Sequence, residues 1–296
     1  MEQLVSIVTP SFNSAQFIER TIQSVLAQDY PRIEYIVMDG GSTDGTVEIL
    51  ERYRARLSFV SARDNGAAEA INRGFARASG SIFAWLNADD TYLPGAVAAA
   101  VSALASCPEA AAVYGEGLWT GEDDRPLGAY PTAVPYDAAR FAQECFLCQP
   151  AVFMRAEAFR AAGQLDPALQ WAFDYDFWIR LSRVGPFQPL PACLAASRMH
   201  RTNKTLGSRR QVFRENIRIL RRHYRYVPVN WVYGYLSYLH DGRDQFFEPL
   251  QHSPLVYLAS LPAGSYFNAG SLWRYWKEWF SRLRSAAAAG VPSRSA

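Results

Sequence analysis

No apolar run in the 296 residues reaches transmembrane length, so no segment is expected to cross a bilayer. The N-terminus lacks a basic stretch followed by a long apolar one and already reads as a strand, so a cytoplasmic protein is expected, free or at the inner face of the cytoplasmic membrane. Charge of one sign is also lacking: a formal net charge of +2 is too small to argue for nucleic acid as a partner. Cysteine is scarce, with Cys107, Cys145, Cys148 and Cys193 the only four. Cys145 and Cys148 form a Cys-x-x-Cys, but no second pair has zinc-ligand spacing, and all four are expected to be apolar core residues. Neither G-x-G-x-x-G nor a Walker A loop is present, which removes the main support for a dehydrogenase or a P-loop enzyme. No internal repeat is visible.

What is present is an alternation of strand and helix patterns, which argues for a mainly parallel α/β sheet. Strands are expected over 4–8, 33–38, 57–61 and 81–86. Between them, Phe17, Ile18, Ile22, Val25 and Leu26 recur at helical spacing behind a cap at Asn13, and Ala67, Ala70, Ile71, Gly74 and Phe75 mark another helix. An alanine-rich helix over 94–106, a strand over 111–118 and a Gly-, Pro- and acid-rich loop to about 135 follow. Helices over 155–162 and 174–184, then a strand over 187–196 covering the sheet edge, complete the first part.

In an open α/β sheet, ligands bind beyond the carboxyl ends of the strands. Thr9-Pro10, the turn from Asp39 to Thr46, Asp64-Asn65-Gly66 and Asp89-Asp90 all fall there, each after one of the first four strands. The adjacent carboxylates Asp89 and Asp90 follow a buried strand and need a cation or solvent to neutralise them. A Mg²⁺ or Mn²⁺ ion completed by substrate phosphate oxygens satisfies that need; a solvated turn or a helix cap is the plainer alternative.

With these segments in view, the chain resembles an inverting family 2 glycosyltransferase of the GT-A type, close to bacterial enzymes that build surface polysaccharides. The resemblance covers roughly 4–205 and rests on Val5 to Asn13, Asp39 to Thr46, Asp64 to Gly66 with Ala70, Asn72 and Gly74, Leu86 to Asp90, and Asp174 to Leu181, in that order and spacing. It implies a GT-A fold over 1–205, with a nucleotide-binding half to about 110 and an acceptor-binding half over 111–205, and a helical, aromatic-rich extension over 206–296. It implies transfer of a sugar from a nucleoside diphosphate, UDP being the expected one, to a hydroxyl of a glycan or lipid-linked saccharide, assisted by Mn²⁺ or Mg²⁺. The donor is expected to meet Thr9, Pro10, Asp39, Asp64, Gly66, Asn87, Asp89, His200 and Lys204, with Asp39 accepting from the base and Thr9 and Asp64 lining its pocket. Asp89, Asp90 and His200 are the expected metal residues, and Lys204 and Arg201 are placed to clamp the phosphates. Asp174 aligns with the general base, and Gln149-Pro150 resembles a segment facing the acceptor. The chain departs from the family pattern with Asn87 at the first metal-motif position and Phe173 where a Glu usually precedes the base. These departures motivate one alternative, a non-catalytic nucleotide-sugar-binding protein. A sugar nucleotidyltransferase is the other, disfavoured because no Gly-rich basic loop is present at the N-terminus.

From Arg209 the character changes. Phe213, Ile217, Leu220 and Tyr224 form an apolar stripe beside Arg210, Arg214, Arg218, Arg221 and Arg225. Further on, Leu272, Trp273, Trp276, Trp279, Phe280 and Leu283 are expected on one helical face flanked by Arg274, Lys277, Arg282 and Arg284. Peripheral membrane contact is one reading of that face; a homodimer contact, or packing on the catalytic domain, is the other.

Overall fold

The computed structural model describes residues 3–130, 132, 135–200, 203–245, 247–248 and 250–289. The strands are β1 (Val5–Ser11), β2 (Ile33–Asp39), β3 (Ser58–Ser61), β4 (Ile82–Trp85), β5 (Thr91–Tyr92), β6 (Ala112–Thr120), β7 (Pro126–Ala129), β8 (Val152–Arg155) and β9 (Phe187–Arg198). The helices are α1 (Ile18–Leu26), α2 (Thr46–Arg52), α3 (Ala67–Phe75), α4 (Ala96–Ser106), α5 (Ala156–Ala162), α6 (Phe173–Leu181), α7 (Lys204–Gly207), α8 (Arg209–Tyr224), α9 (Val229–Asp241), α10 (Pro254–Phe267) and α11 (Leu272–Ala289). They fall into two compact units, one of 1–141 with 145–203 and one of 142–144 with 204–296.

The first unit carries a nine-stranded sheet in the order β3-β2-β1-β4-β8-β6-β9-β5, with β7 paired to β6. β1, β2, β3 and β4 run parallel, as helical crossovers demand. Every residue of β1 and β4 is buried, because helices cover both faces of the central strands. α1 turns Ile18, Thr21, Ile22 and Val25 to the sheet, and α3 turns Ala68, Ile71, Gly74 and Phe75. Gly74 allows that approach: a Cβ there would lie 2.4 Å from Val8 Cγ1. On the other half, Trp178 of α6 stacks on Trp85 at 4.9 Å, and Phe75 stacks on Phe83 at 4.6 Å.

Two local expectations are corrected. Asn13 does not cap α1; it sits at φ 48° and its side-chain oxygen accepts from Thr43 N at 2.9 Å, so it ties the end of β1 to the loop after β2. The strand expected over 187–196 extends to Arg198 and is not an edge: it lies between β6 and β5, parallel to the former and antiparallel to the latter. Its buried Leu194, Ala195 and Ala196 pack inside the sheet, which carries Arg198 and His200 to the end of β4.

The second unit is helical. Phe213, Ile217 and Leu220 of α8 are buried, whereas Arg214, Ile217, Arg218, Arg221 and Arg222 line a groove of about 440 Å³. In α11 the expected six-residue apolar face divides: Trp279 is buried together with Tyr275, while Leu272, Trp273, Trp276, Phe280 and Leu283 are exposed. One turn of sequence separates the two buried rings, so they share one side of the helix and the exposed set occupies another. Among the described residues no helix is long and apolar enough to cross a membrane.

Candidate active site

The segment after β4 makes a tight turn in which Asp90 N donates to Asn87 O at 3.1 Å. The turn sends its two carboxylates to different environments. Asp90 is 3% exposed and points inward, where Oδ1 accepts from Arg198 N at 2.9 Å and Oδ2 from Asn87 Nδ2 at 3.1 Å. Burial pushes its carboxyl up, to about 8, and repulsion from the neighbouring Asp89 adds to the rise. Asp89 keeps 27% of its side chain exposed, and its Oδ2 lies 2.9 Å from His200 Nε2.

β9 builds the wall behind this pair. The Arg198 guanidinium donates to Asp89 O at 2.8 Å, Gly121 O at 3.2 Å and Glu122 O at 3.3 Å, and pairs with Asp124 at 2.5 Å. The rings of Phe17 and His200 lie 4.6 Å apart, and Arg198 covers the same Phe17 ring at 5.3 Å. From α1, Thr21 Oγ1 reaches Ala88 O and Asp90 O at 2.9 and 2.8 Å. Asn87 is held by Gln149, whose Oε1 accepts from Asn87 Nδ2 at 3.0 Å and whose Nε2 donates to Trp85 O at 2.8 Å.

Among the described residues no three His, Cys, Asp or Glu side chains converge. Asp89 and His200 are a pair: one hard oxygen donor and one imidazole nitrogen, partly open to solvent. That set fits Mn²⁺ or Mg²⁺, which take one or two protein ligands and fill the remaining positions with phosphate and water oxygens. Asp90, with both oxygens engaged inward, is a brace for the turn.

The loops after β2 and β3 form the neighbouring wall. Asp39 is 2% exposed, and its Oδ2 accepts from Gly41 N (3.1 Å), Ser42 N (2.9 Å) and Ser61 Oγ (2.6 Å), while Oδ1 accepts from Ser42 Oγ. Its carboxylate therefore folds its own turn. Asp64 is less engaged: Oδ1 accepts from Gly66 N at 2.9 Å, and both oxygens lie over Gly40, 3.1 and 3.2 Å from where a Cβ would stand. Desolvation raises its pKa, and nearby Glu69 and Asp39 add to the rise. Thr9 is fully buried and its hydroxyl shares a 3.1 Å hydrogen bond with Tyr35 OH, and Pro10 is buried in register with Met38. Gly66, at φ 119°, opens α3 where a Cβ would meet Gln170 Oε1 at 2.5 Å.

Asp174 lies in the first turn of α6, half-buried, with Oδ1 accepting from Tyr175 N at 2.8 Å. Four residues on, Trp178 stacks on the last residue of β4, so Asp174 shares the helix face directed at that strand. Asp176 is fully buried and paired with Arg180 at 2.9 Å, a bond inside the helix packing. Lys204 begins α7 in the second unit, and Arg201 lies outside the described residues. All four cysteines are free; Cys148 is buried in the core, where desolvation raises its thiol well above the usual range, and the other three are half-buried.

Two residues escaped the sequence reading. Phe12, which follows β1 at the ligand edge of the sheet, is 63% exposed, and Ser11, paired in register with Asp39, keeps a buried hydroxyl with no hydrogen-bond partner. An aromatic residue just past a strand that ends in Thr-Pro-Ser was the available signal for Phe12. Ser11 had none.

A sheet of this order, with acids and an imidazole gathered beyond its carboxyl ends, defines a nucleotide-sugar-transferase fold of the GT-A class. Residues 6–162, more than half of the chain, match the family described as Glycosyl transferase family 2, and the chain belongs to that family. The putative teichuronic acid biosynthesis glycosyltransferase TuaG of Bacillus subtilis is 31% identical over 214 residues, 69% of this chain and 82% of TuaG. An uncharacterized glycosyltransferase of Rickettsia conorii is 26% identical over 269 residues, but those cover 86% of this chain and only 41% of that longer protein. Among solved structures, S. aureus TarS 1–349 in complex with UDP has the same fold, with a TM-score of 0.58 at 16% identity over 82% of this chain and 73% of that one. So does the mannosyltransferase PcManGT of Pyrobaculum calidifontis, crystallised with GDP-Man and Mn²⁺, with a TM-score of 0.57 at 19% identity over 99% of this chain and 82% of that one.

Proposed function

We propose that the chain is a metal-dependent inverting glycosyltransferase that moves a sugar from a nucleoside diphosphate to a hydroxyl of a glycan or lipid-linked saccharide, in the assembly of a cell-envelope polysaccharide. The observation that carries this reading is the division of labour in the turn after β4, where Asp90 is buried as a brace and Asp89 is turned out to His200. The names of TuaG, a teichuronic acid enzyme, and of the UDP and GDP-Man complexes support donor and pathway class.

Asp89 and His200 would hold the cation, which when bound would supply neutralisation of the charge on the departing diphosphate. Arg198 fixes the backbone of Asp89 and the position of Phe17 against His200, so both side chains that would hold the ion are oriented in advance. Asp64, rather than the self-engaged Asp39, accepts from the base imide, and exposed Phe12 offers an aromatic face for stacking. Asp174 takes the proton of the acceptor hydroxyl as its oxygen attacks the anomeric carbon from the side opposite the diphosphate. The bond to the diphosphate breaks as the new glycosidic bond forms, and a single displacement inverts the configuration.

The test is hydrolysis and transfer with a panel of nucleotide sugars in the presence of Mn²⁺. Slow donor hydrolysis that stops on chelation and returns with Mn²⁺ is expected. Donor binding without any turnover across the panel and a range of acceptors would reassign the chain as a binding protein.

A further inference from the structure

The second unit exposes an apolar surface that sugar transfer does not use. α10, Pro-Leu-Val-Tyr-Leu-Ala-Ser-Leu-Pro-Ala-Gly-Ser-Tyr-Phe, contains no charged residue. Its inner side is occupied: a Cβ at Gly264 would fall 1.9 Å from the Tyr275 ring, Tyr275 OH donates to Ser260 O at 2.8 Å, and Trp279 Nε1 donates to Ser260 Oγ at 3.0 Å. Its outer side presents Leu255 (75% exposed), Leu258 (59%) and Tyr266 (77%), with Pro262 between them. The spacing i, i+3, i+7 and i+11 makes these one stripe along the helix.

α11 repeats the arrangement. At 100° per residue, Leu272, Leu283, Trp276, Phe280 and Trp273 fall within one arc of roughly 100°, beside the arc that buries Tyr275 and Trp279. Trp273 is 78% exposed. Lys277 and Arg284 border that arc on its far side, and no acid lies within it. Glu278 is drawn to the other side, where it accepts from Tyr226 OH at 2.6 Å and pairs with Arg282 at 3.0 Å. Trp276 Nε1 donates to Ser265 Oγ at 2.9 Å, which joins the exposed arc of α11 to α10 beside its stripe.

We propose that the α10–α11 hairpin is a peripheral membrane-binding surface that lies in the interface of an anionic bilayer, with the Leu255-to-Tyr266 and Trp273-to-Leu283 stripes at the acyl boundary and Lys277 and Arg284 at the head groups. Three features select a bilayer over a second copy of the chain. Trp and Tyr, with polar rims on apolar rings, prefer the head-group level. The cations sit at the margin of the apolar arc, where lipid phosphates meet an interfacial helix. The surface is itself acid-free next to its cations, so two copies face to face would oppose like charges across an apolar contact.

The experiment is flotation of the full chain with phosphatidylcholine vesicles, with and without phosphatidylglycerol. Binding that strengthens with phosphatidylglycerol and weakens with salt is expected. Trp273→Ser combined with Phe280→Ser should weaken it by about tenfold or more, and Leu255→Ser combined with Leu258→Ser similarly. Lys277→Gln with Arg284→Gln should weaken binding only to the anionic vesicles, by about fivefold per charge. All six positions are exposed, so thermal unfolding and nucleotide binding in solution should be unchanged, which separates this result from the sugar-transfer reading. Failure of the chain to float, flotation unaffected by the substitutions, or a sedimenting dimer that the same substitutions dissolve would each overturn the proposal.

Discussion

Asp89 and Asp90 are neighbours with opposite fates, and the difference is testable one residue at a time. Asp89→Asn removes the charge of the proposed metal ligand at a partly exposed position and is expected to lower metal-dependent turnover about a hundredfold or more with little change in melting temperature, by donor hydrolysis and calorimetry. Asp90→Ala strips acceptors from Arg198 N and Asn87 Nδ2 in a buried site and should cost about 1–3 kcal/mol of stability, measured by urea unfolding. The residues also show how far the sequence could be read. The pair was legible as a place where charge needs an explanation. Which acid turns inward was not, because that depends on a backbone N–H of Arg198, 108 positions away in the chain. The same holds for Asp39, whose carboxylate is consumed by its own turn, and for Asp64, which lies over Gly40 because residue 40 has no side chain. Gly40→Asp is therefore expected to crowd Asp64 and weaken nucleotide binding about tenfold, by titration calorimetry.

At the scale of elements, β9 does more than its length suggests. By inserting between β6 and β5 it carries Arg198 and His200 to the end of β4. The Arg198 side chain is 1% exposed, and Arg198→Ala takes the guanidinium donor from Asp89 O and one of two partners each from Asp124, Gly121 O and Glu122 O, which Arg20 and Asp124 N still reach; a loss of about 1–3 kcal/mol and weaker Mn²⁺ binding are expected from unfolding curves and metal titration. Glu34 pins elements at the opposite end of the sheet, accepting from Ser6 Oγ in β1 and from Ser79 N and Oγ before β4. Desolvation pushes its pKa up, but these hydrogen bonds outweigh it and hold the carboxyl below its ordinary value. A depressed folded-state pKa contributes stability that is present above the unfolded carboxylate pKa and is lost as pH falls through the folded one. Glu34→Gln should thus cost about 1 kcal/mol at neutral pH and flatten the acid limb of the stability curve. Strands with strong apolar patterns, β1, β2 and β4, were readable from sequence. β5, β7 and β8, of two to four residues each, were not, because such short strands exist only through their partners.

At the scale of the molecule, Asp39, Asp64, Asp89, Asp174 and His200 all belong to the first unit, and the exposed aromatic hairpin belongs to the second. Asp174→Asn is expected to reduce turnover by about 10²- to 10⁴-fold while donor affinity stays the same, by single-turnover kinetics beside calorimetry. Equal loss of both would move the proton acceptor elsewhere.

The sequence by itself determined the class of the protein: alternating β and α periods dictate a mainly parallel sheet, and a parallel sheet collects the loops bearing Asp39, Asp64 and Asp89 at one edge, since each of those strands leaves the sheet in the same direction. Tertiary structure alone decided the surroundings of each acid and of each Trp in α11. A side chain's chemistry follows from which donors, rings or solvent reach it, and these are supplied by segments remote in sequence: Arg198 for Asp90, His200 for Asp89, and Ser260 for the buried Trp279.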